Sequence, residues 1–166
     1  MVDSNNLVSI VIPAFRAEHS IYRLVKEILN VFSNFKIEIV VVNDCSPDKT
    51  HEECLKLIKE YSKELTYIKL SKNVGEHNAV MAGLKHSNGE WMIIMDDDFQ
   101  HPPDEVLKLF NYSSSNKFDV VYGCFRKKKY NFFRNLVSKI NDISANYILN
   151  KPKGLYLSSF KCIKKN

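Results

Sequence analysis

Short apolar runs rich in β-branched residues alternate with segments of helical periodicity at least four times along this chain. That alternation limits the architectures open to it. Leu7–Ile12 is such a run, halted by Pro13, and Ser20 can cap a helix whose apolar positions Ile21, Leu24, Val25, Ile28, Leu29 and Phe32 keep the 3–4 spacing. Ile37–Val42, Leu65–Leu70, Trp91–Met95 and Phe118–Tyr122 read as four more strands. Helices are expected from Thr50, from Glu76 and, with proline in the first turn, from Pro103. Ala79, Ala82 and Gly83 in the third helix are small enough for close packing on a sheet. Tyr130–Leu149 is expected to be helical and Leu155–Ile163 to form one more short strand. Strands separated by crossover helices give a mostly parallel α/β sheet with helices on both faces and right-handed connections.

In an open sheet of this kind, ligands bind outside the carboxyl ends of the strands. The polar residues gather at those ends. Pro13, Phe15 and Glu18 follow the first strand, Asn43, Asp44 and Ser46 the second, Lys72 the third, and Asp96-Asp97-Asp98 the fourth. No G-x-G-x-x-G follows the first strand and no G-x-x-x-x-G-K-[ST] occurs, so neither backbone phosphate cradle is present. A diphosphate would then need a metal held on carboxylates, helped by Lys72. Asp44 is placed to accept from a base N–H, and Phe15 to pack on a ring.

Three adjacent carboxylates beside a buried strand repel one another and are costly to desolvate. Alone, they read either as a solvated acidic turn or as hard oxygen ligands for Mg²⁺ or Mn²⁺. A receiver-like acidic pocket is a weaker rival, since its carboxylates belong after the first and third strands.

At 166 residues the chain is expected to form one domain. Its net charge of +5 is concentrated in Arg126–Lys129, Arg134 and Lys139, beside the apolar residues Phe132, Phe133, Leu136, Val137 and Ile140. This segment reads either as a solvated basic face over core residues or as an amphipathic contact with an anionic membrane surface. Cys45, Cys54, Cys124 and Cys162 lack metal-site spacing and are expected to be reduced thiols. No signal peptide is visible, and no apolar run approaches the ~18 residues of a membrane span. A cytoplasmic protein, or one held at the cytoplasmic face of a membrane, is expected.

Val8–Phe15, Val42–Thr50, Leu70–Gly75 and Met95–Pro103 follow one another in an order and spacing that resembles the family 2 glycosyltransferases. The branch most similar is that of the polyprenyl-phosphate glycosyltransferases, which includes dolichol-phosphate mannose synthase. The likeness covers about residues 7–163. It implies a GT-A fold, Rossmann-like, with a UDP- or GDP-linked sugar donor and a divalent metal, Mg²⁺ or Mn²⁺. It also implies inverting transfer to a polyprenyl phosphate in cell-envelope biosynthesis, with a lipid phosphate rather than a nucleic acid as the anionic partner. By position, Asp44 matches the base-binding aspartate, Pro13, Phe15, Glu18 and Ser46 belong to the nucleotide pocket, and Lys72 stands at the diphosphate. Asp96 and Asp98 match the ends of the D-x-D metal motif, with Gln100 close by, and Asp97 takes the variable middle position among the donor-binding residues. Asp98 and Arg126 are the implied catalytic residues, and Arg126, Arg134 and Lys139 the implied contacts to the acceptor phosphate.

Three departures from the pattern matter. Asn43-Asp44-Cys45-Ser46 replaces D-D-G-S, and Arg16-Ala17-Glu18 replaces Asn-Glu-Glu. Ser158-Ser159-Phe160-Lys161 replaces G-D-F-R, which removes an acceptor-side aspartate. Family members commonly continue through further helices and membrane spans, so a C-terminally short catalytic domain is expected. Transfer to a surface polysaccharide or other glycan, and donor binding without transfer, stand as alternatives.

Overall fold

The computed structural model describes residues 6–116, 118–123 and 158–165. The chain divides into one compact unit, Met1–Val121 with Ser159–Asn166, and a second, Tyr122–Ser158, of which only the ends are described. The expected helix at Tyr130–Leu149, its apolar residues Phe132, Phe133, Leu136, Val137 and Ile140, and Arg126, Arg134 and Lys139 lie outside the described residues.

Strands β1 (Val8–Ala14), β2 (Ile37–Asn43), β3 (Leu65–Lys69) and β4 (Trp91–Ile94) are parallel neighbours, joined by α1 (Ile21–Val31), α2 (Thr50–Glu60) and α3 (Glu76–His86). After α4 (Pro103–Asn116) come β5 (Val120–Tyr122) and β6 (Lys161–Lys164), giving the sheet order β3-β2-β1-β4-β6-β5. The fold is therefore a mixed α/β sheet, mostly parallel, as expected from the alternation. The last strand corrects the expectation. Ser158–Phe160 lie outside it, β6 begins at Lys161 and runs antiparallel to β4, pairing Trp91 with Lys164 and Ile94 with Lys161, and the expected start at Leu155 lies outside the described residues.

Both faces of the central strands are buried, which is why they read as continuous apolar runs instead of alternating ones. Val8, Ile10, Ile12 and Ala14 of β1 point to one face, with Ile39, Val41, Ile93 and Met95, under α1, α2 and α4. Val11, Val40, Val42 and Ile94 point to the other, under α3. Gly83 is what lets α3 approach. A Cβ there would lie 2.4 Å from Val11 Cγ1 and 3.1 Å from Val42 Cγ2. On the first face Phe110 sits among Phe32, Phe35 and Trp91, with ring centroids 5.6–6.4 Å away.

Ser20 occupies the position before α1, but its hydroxyl turns back to the Ala17 carbonyl at 3.4 Å and makes no cap bond. Ser20 has φ −115° and ψ −43°, a backbone already close to helical rather than the extended one an N-cap residue typically takes.

The chain progresses β1, β2, β3 in one direction and then returns to place β4 on the other side of β1. Right-handed crossovers in opposite directions put α1 and α2 on one face and α3 on the other. The reversal lies between β1 and β4, and the strands separate there. β1 pairs with β4 only from Val8 to Val11, but with β2 as far as Ala14. A crevice opens at that switch point.

Candidate active site

The crevice is a cavity of about 430 Å³ lined by Pro13, Ala14, Phe15, Asp44, Asn73, Gly75, Glu76, Asp96, Asp97 and Asp98. It draws on the loops after β1, β2, β3 and β4. Six of the sequence-predicted residues are thereby brought together: Pro13, Phe15, Asp44 and the three aspartates. Asn73, Gly75 and Glu76 also line it, although sequence reasoning had singled out Lys72 from that loop. Lys72 is exposed and is not among the lining residues. The signal that could have found its neighbour is Gly75 itself. It holds φ 86° at the start of α3, where a side chain is disfavoured.

Asp44 is buried, and each of its oxygens accepts a backbone N–H, from Val74 at 2.7 Å and from Gly75 at 2.9 Å. The carboxylate therefore ties the β2 loop to the start of α3 while retaining lone pairs toward the cavity. Behind it, Asn43 is fully buried. Its Oδ1 accepts the Ser46 N–H at 2.8 Å and its Nδ2 donates to the Tyr67 hydroxyl at 3.0 Å, which also meets His51 Nδ1 at 2.9 Å. Asn43 thus closes a local turn that an aspartate could close only with an additional buried charge.

The loop after β1 is shaped by side chains from elsewhere. Four consecutive amides donate to side-chain oxygens: Phe15 to Asp97 Oδ2 (3.1 Å), Arg16 to Ser46 Oγ (3.2 Å), Ala17 to Thr50 Oγ1 (2.8 Å) and Glu18 to Asp48 Oδ2 (3.3 Å). Glu18 in turn accepts the Lys49 N–H at 3.0 Å. Glu18 and Ser46 are therefore loop ties and do not line the cavity. Phe15 remains 44% exposed, its ring open to a stacking partner, with the Arg16 guanidinium 5.4 Å from its centroid.

The three aspartates have three different environments. Asp96 accepts the Ser159 hydroxyl at 2.8 Å. Asp98 accepts the Gln100 backbone N–H at 3.0 Å and its side-chain amide at 2.5 Å. Gln100 thus donates to Asp98 and does not line the cavity. Asp97 is pushed up to about 6, first by burial and then by the charges of Asp98 and Asp96, against the opposing Phe15 N–H. Next to them His101 is buried, stacks on Phe160 with centroids 4.1 Å apart, and is held below the ordinary imidazole value by that burial. This stack seats the chain entering β6 so that Ser159 reaches Asp96.

Three loops at this edge contain a non-glycine residue in the left-handed region: Arg16 (φ 58°), Cys45 (φ 55°) and Phe99 (φ 61°). Such conformations cost about 1–2 kcal/mol each and persist where surrounding contacts over-determine them.

A divalent cation fits this donor set. Among the described residues no three histidine, cysteine or carboxylate side chains form a closed ligand cage. Asp96 and Asp98 are hard oxygen donors beside an open cavity, and Mg²⁺ is commonly held by one or two carboxylates plus water and substrate phosphates. The repulsion from Asp96 and Asp98, which adds to the effect of burial on Asp97, is what a cation there would relieve.

The glycosyl transferase family 2 model matches residues 9–163. The undecaprenyl-phosphate 4-deoxy-4-formamido-L-arabinose transferase of Pectobacterium atrosepticum is 30% identical over 165 residues, 98% of this chain and 49% of the relative. The enzyme of the same description from Photorhabdus laumondii is 30% identical over 158 residues, 94% of this chain and 47% of the relative. The chain spans about half the length of these curated relatives. Among solved structures, glucosyl-3-phosphoglycerate synthase from Mycobacterium tuberculosis superposes with a TM-score of 0.71 at 16% identity, covering 98% of this chain and 58% of that one. The mannosyltransferase PcManGT from Pyrobaculum calidifontis, in complex with GDP-Man and Mn²⁺, gives 0.63 at 17% identity over 99% and 46%. At these identities the structural likeness speaks to the fold, which is GT-A. With the family pattern spanning most of its length and the carboxylates gathered at the β1–β4 switch point, this chain belongs to glycosyl transferase family 2.

Proposed function

We propose that the chain binds a UDP- or GDP-linked sugar together with Mg²⁺ or Mn²⁺ and transfers the sugar, with inversion, to a polyprenyl phosphate. The observation that carries this reading is the cavity at the switch point, where Asp44, Phe15 and Asp96–Asp98 meet from separate loops. Phe15 offers a ring face and Asp44 an acceptor for the nucleoside, and Asp96 and Asp98 hold the metal. A bound divalent cation would neutralise charge that builds on the departing diphosphate.

Ser159 bears on the acceptor. It stands where the family often has aspartate, and its hydroxyl is engaged by Asp96, so it offers no general base. A phosphate monoester is largely ionised near neutral pH and can attack the anomeric carbon directly as the bond to the diphosphate breaks. A sugar hydroxyl would need a base to take its proton. The relatives named above act on undecaprenyl phosphate by their descriptions, which agrees with a lipid phosphate acceptor. Arg126, Arg134 and Lys139 are proposed to meet that phosphate, and the basic segment to lie at an anionic membrane surface. Among the described residues no helix is long and apolar enough to cross a membrane.

Calorimetry with UDP- and GDP-sugars, with and without Mn²⁺, followed by transfer to polyprenyl phosphate, tests the reading. Metal-dependent binding of one nucleotide class with turnover is the expected result. Binding without turnover on any acceptor would make the chain a donor-binding module, and no binding at all would overturn the reading.

A further inference from the structure

The three aspartates are not equivalent. Asp96 and Asp98 are engaged by side chains close to their own loop or to β6, whereas Asp97 reaches across the crevice to the loop after β1. Of the four consecutive amides that define that loop, three are held by Ser46 and Asp48, from the connection between β2 and α2, and by Thr50, the first residue of α2. The first, Phe15, is held by Asp97. This amide sits immediately before Arg16 in its left-handed conformation and carries the exposed ring that forms one wall of the cavity. Without the bond, the Phe15 N–H would lose its partner at the edge of a cavity and the ring its fixed direction.

We propose that Asp97 is a positioning residue, not a metal ligand: it clasps the Phe15 amide and so couples the metal-bearing loop after β4 to the nucleoside wall after β1. The coupling has a functional consequence. A cation drawn between Asp96 and Asp98 and a ring stacked on Phe15 are both set by the same rigid link, so each favours the placement of the other. This inference rests on the proposed donor site, yet its central contact can be read without any donor.

Asp97→Asn and Asp97→Ala remove the same charge, so their difference isolates the hydrogen bond. Asparagine retains an Oδ1 that can accept from Phe15, and alanine does not. In the ligand-free protein, the Phe15 amide is expected to exchange at least tenfold faster in Asp97→Ala than in Asp97→Asn. In calorimetry with Mn²⁺ present, Asp97→Ala is expected to bind the nucleotide-sugar about tenfold more weakly than Asp97→Asn, with Mn²⁺ affinity in the absence of nucleotide the same for the two variants. The proposal is overturned if the two variants share the same Phe15 exchange, or if both abolish Mn²⁺ binding as Asp96→Ala would. Failure of the wild-type chain to bind any nucleotide-sugar would instead count against the donor site itself, with the exchange measurement still deciding whether Asp97 holds Phe15.

Discussion

Ser159 donates its hydroxyl to Asp96 across 63 positions of sequence, joining the start of β6 to the end of β4 at 2.8 Å. The contact gives Asp96, a carboxylate of the proposed metal site, a neutral partner where the family this chain resembles often has aspartate. Reintroducing the charge should therefore be harmful without metal. Ser159→Asp is expected to lower the stability of the metal-free protein by about 1–2 kcal/mol through like-charge contact, and Mn²⁺ is expected to recover part of it. Ser159→Ala should leave the metal-free protein nearly unchanged. Thermal melts with chelator and with Mn²⁺ check both.

Cation binding should be visible as stabilisation. At a Mn²⁺ concentration one hundred times its dissociation constant, the wild-type chain is expected to gain about 2.7 kcal/mol. Asp96→Ala and Asp98→Ala should lose most of that gain while melting, in chelator, no lower than wild type, because each removes one member of a repelling group. A wild-type chain whose melting ignores Mn²⁺ and Mg²⁺ alike would contradict the metal assignment.

Cys45 adopts φ 55° in the loop after β2, the place where D-D-G-S relatives have glycine. Its thiol makes only a long contact of 3.8 Å to the Ser71 carbonyl. Cys45→Gly should relieve the strained backbone and stabilise the fold by about 0.5–1 kcal/mol, net of the added freedom of the unfolded chain. Chemical denaturation measures it, and a loss of stability would mean that the thiol contact outweighs the backbone term.

Glu38 supplies a pH-dependent clamp at the opposite edge of the sheet. Burial alone would push its carboxyl up, but the Ser9 hydroxyl (2.5 Å), the Asn88 amide and side chain, and the Gly89 N–H outweigh that and hold it below its ordinary value of 4.5. A depressed folded value means stability fully present above 4.5 and lost as pH falls through the lower folded value. Glu38→Gln is expected to cost about 1–2 kcal/mol at neutral pH. The gap from wild type should close as pH drops below 4.5, as followed by denaturant melts across pH.

Gly83→Ala tests the close approach of α3. The added methyl would meet Val11, a fully buried side chain on the middle strand, so the helix must shift or the valine leave its rotamer. A loss of about 1–3 kcal/mol is expected. In an exposed helix the same change would be stabilising, so the sign of the effect reports the packing.

The strands, their parallel pairing and the identity of the carboxylate loop were legible in the residues themselves. β-branched runs ending in polar turns dictate strand–helix alternation, and alternation with right-handed crossovers dictates where the loops of β1, β2, β3 and β4 gather. What a linear pattern does not carry is which side chain satisfies which backbone group. Asp44 on the amides of Val74 and Gly75, Asp97 on Phe15 and Ser159 on Asp96 join residues 30 to 82 positions apart. Such partners are chosen by the three-dimensional meeting of loops, since each buried N–H takes the oxygen that the packed fold brings to it. The antiparallel entry of β6 has the same origin. A four-residue strand has too little local preference to fix its direction, and the open edge of β4, with Phe160 stacked on His101, decides it. Sequence placed three carboxylates side by side; tertiary structure turned one of them across the crevice and left the other two beside the cavity.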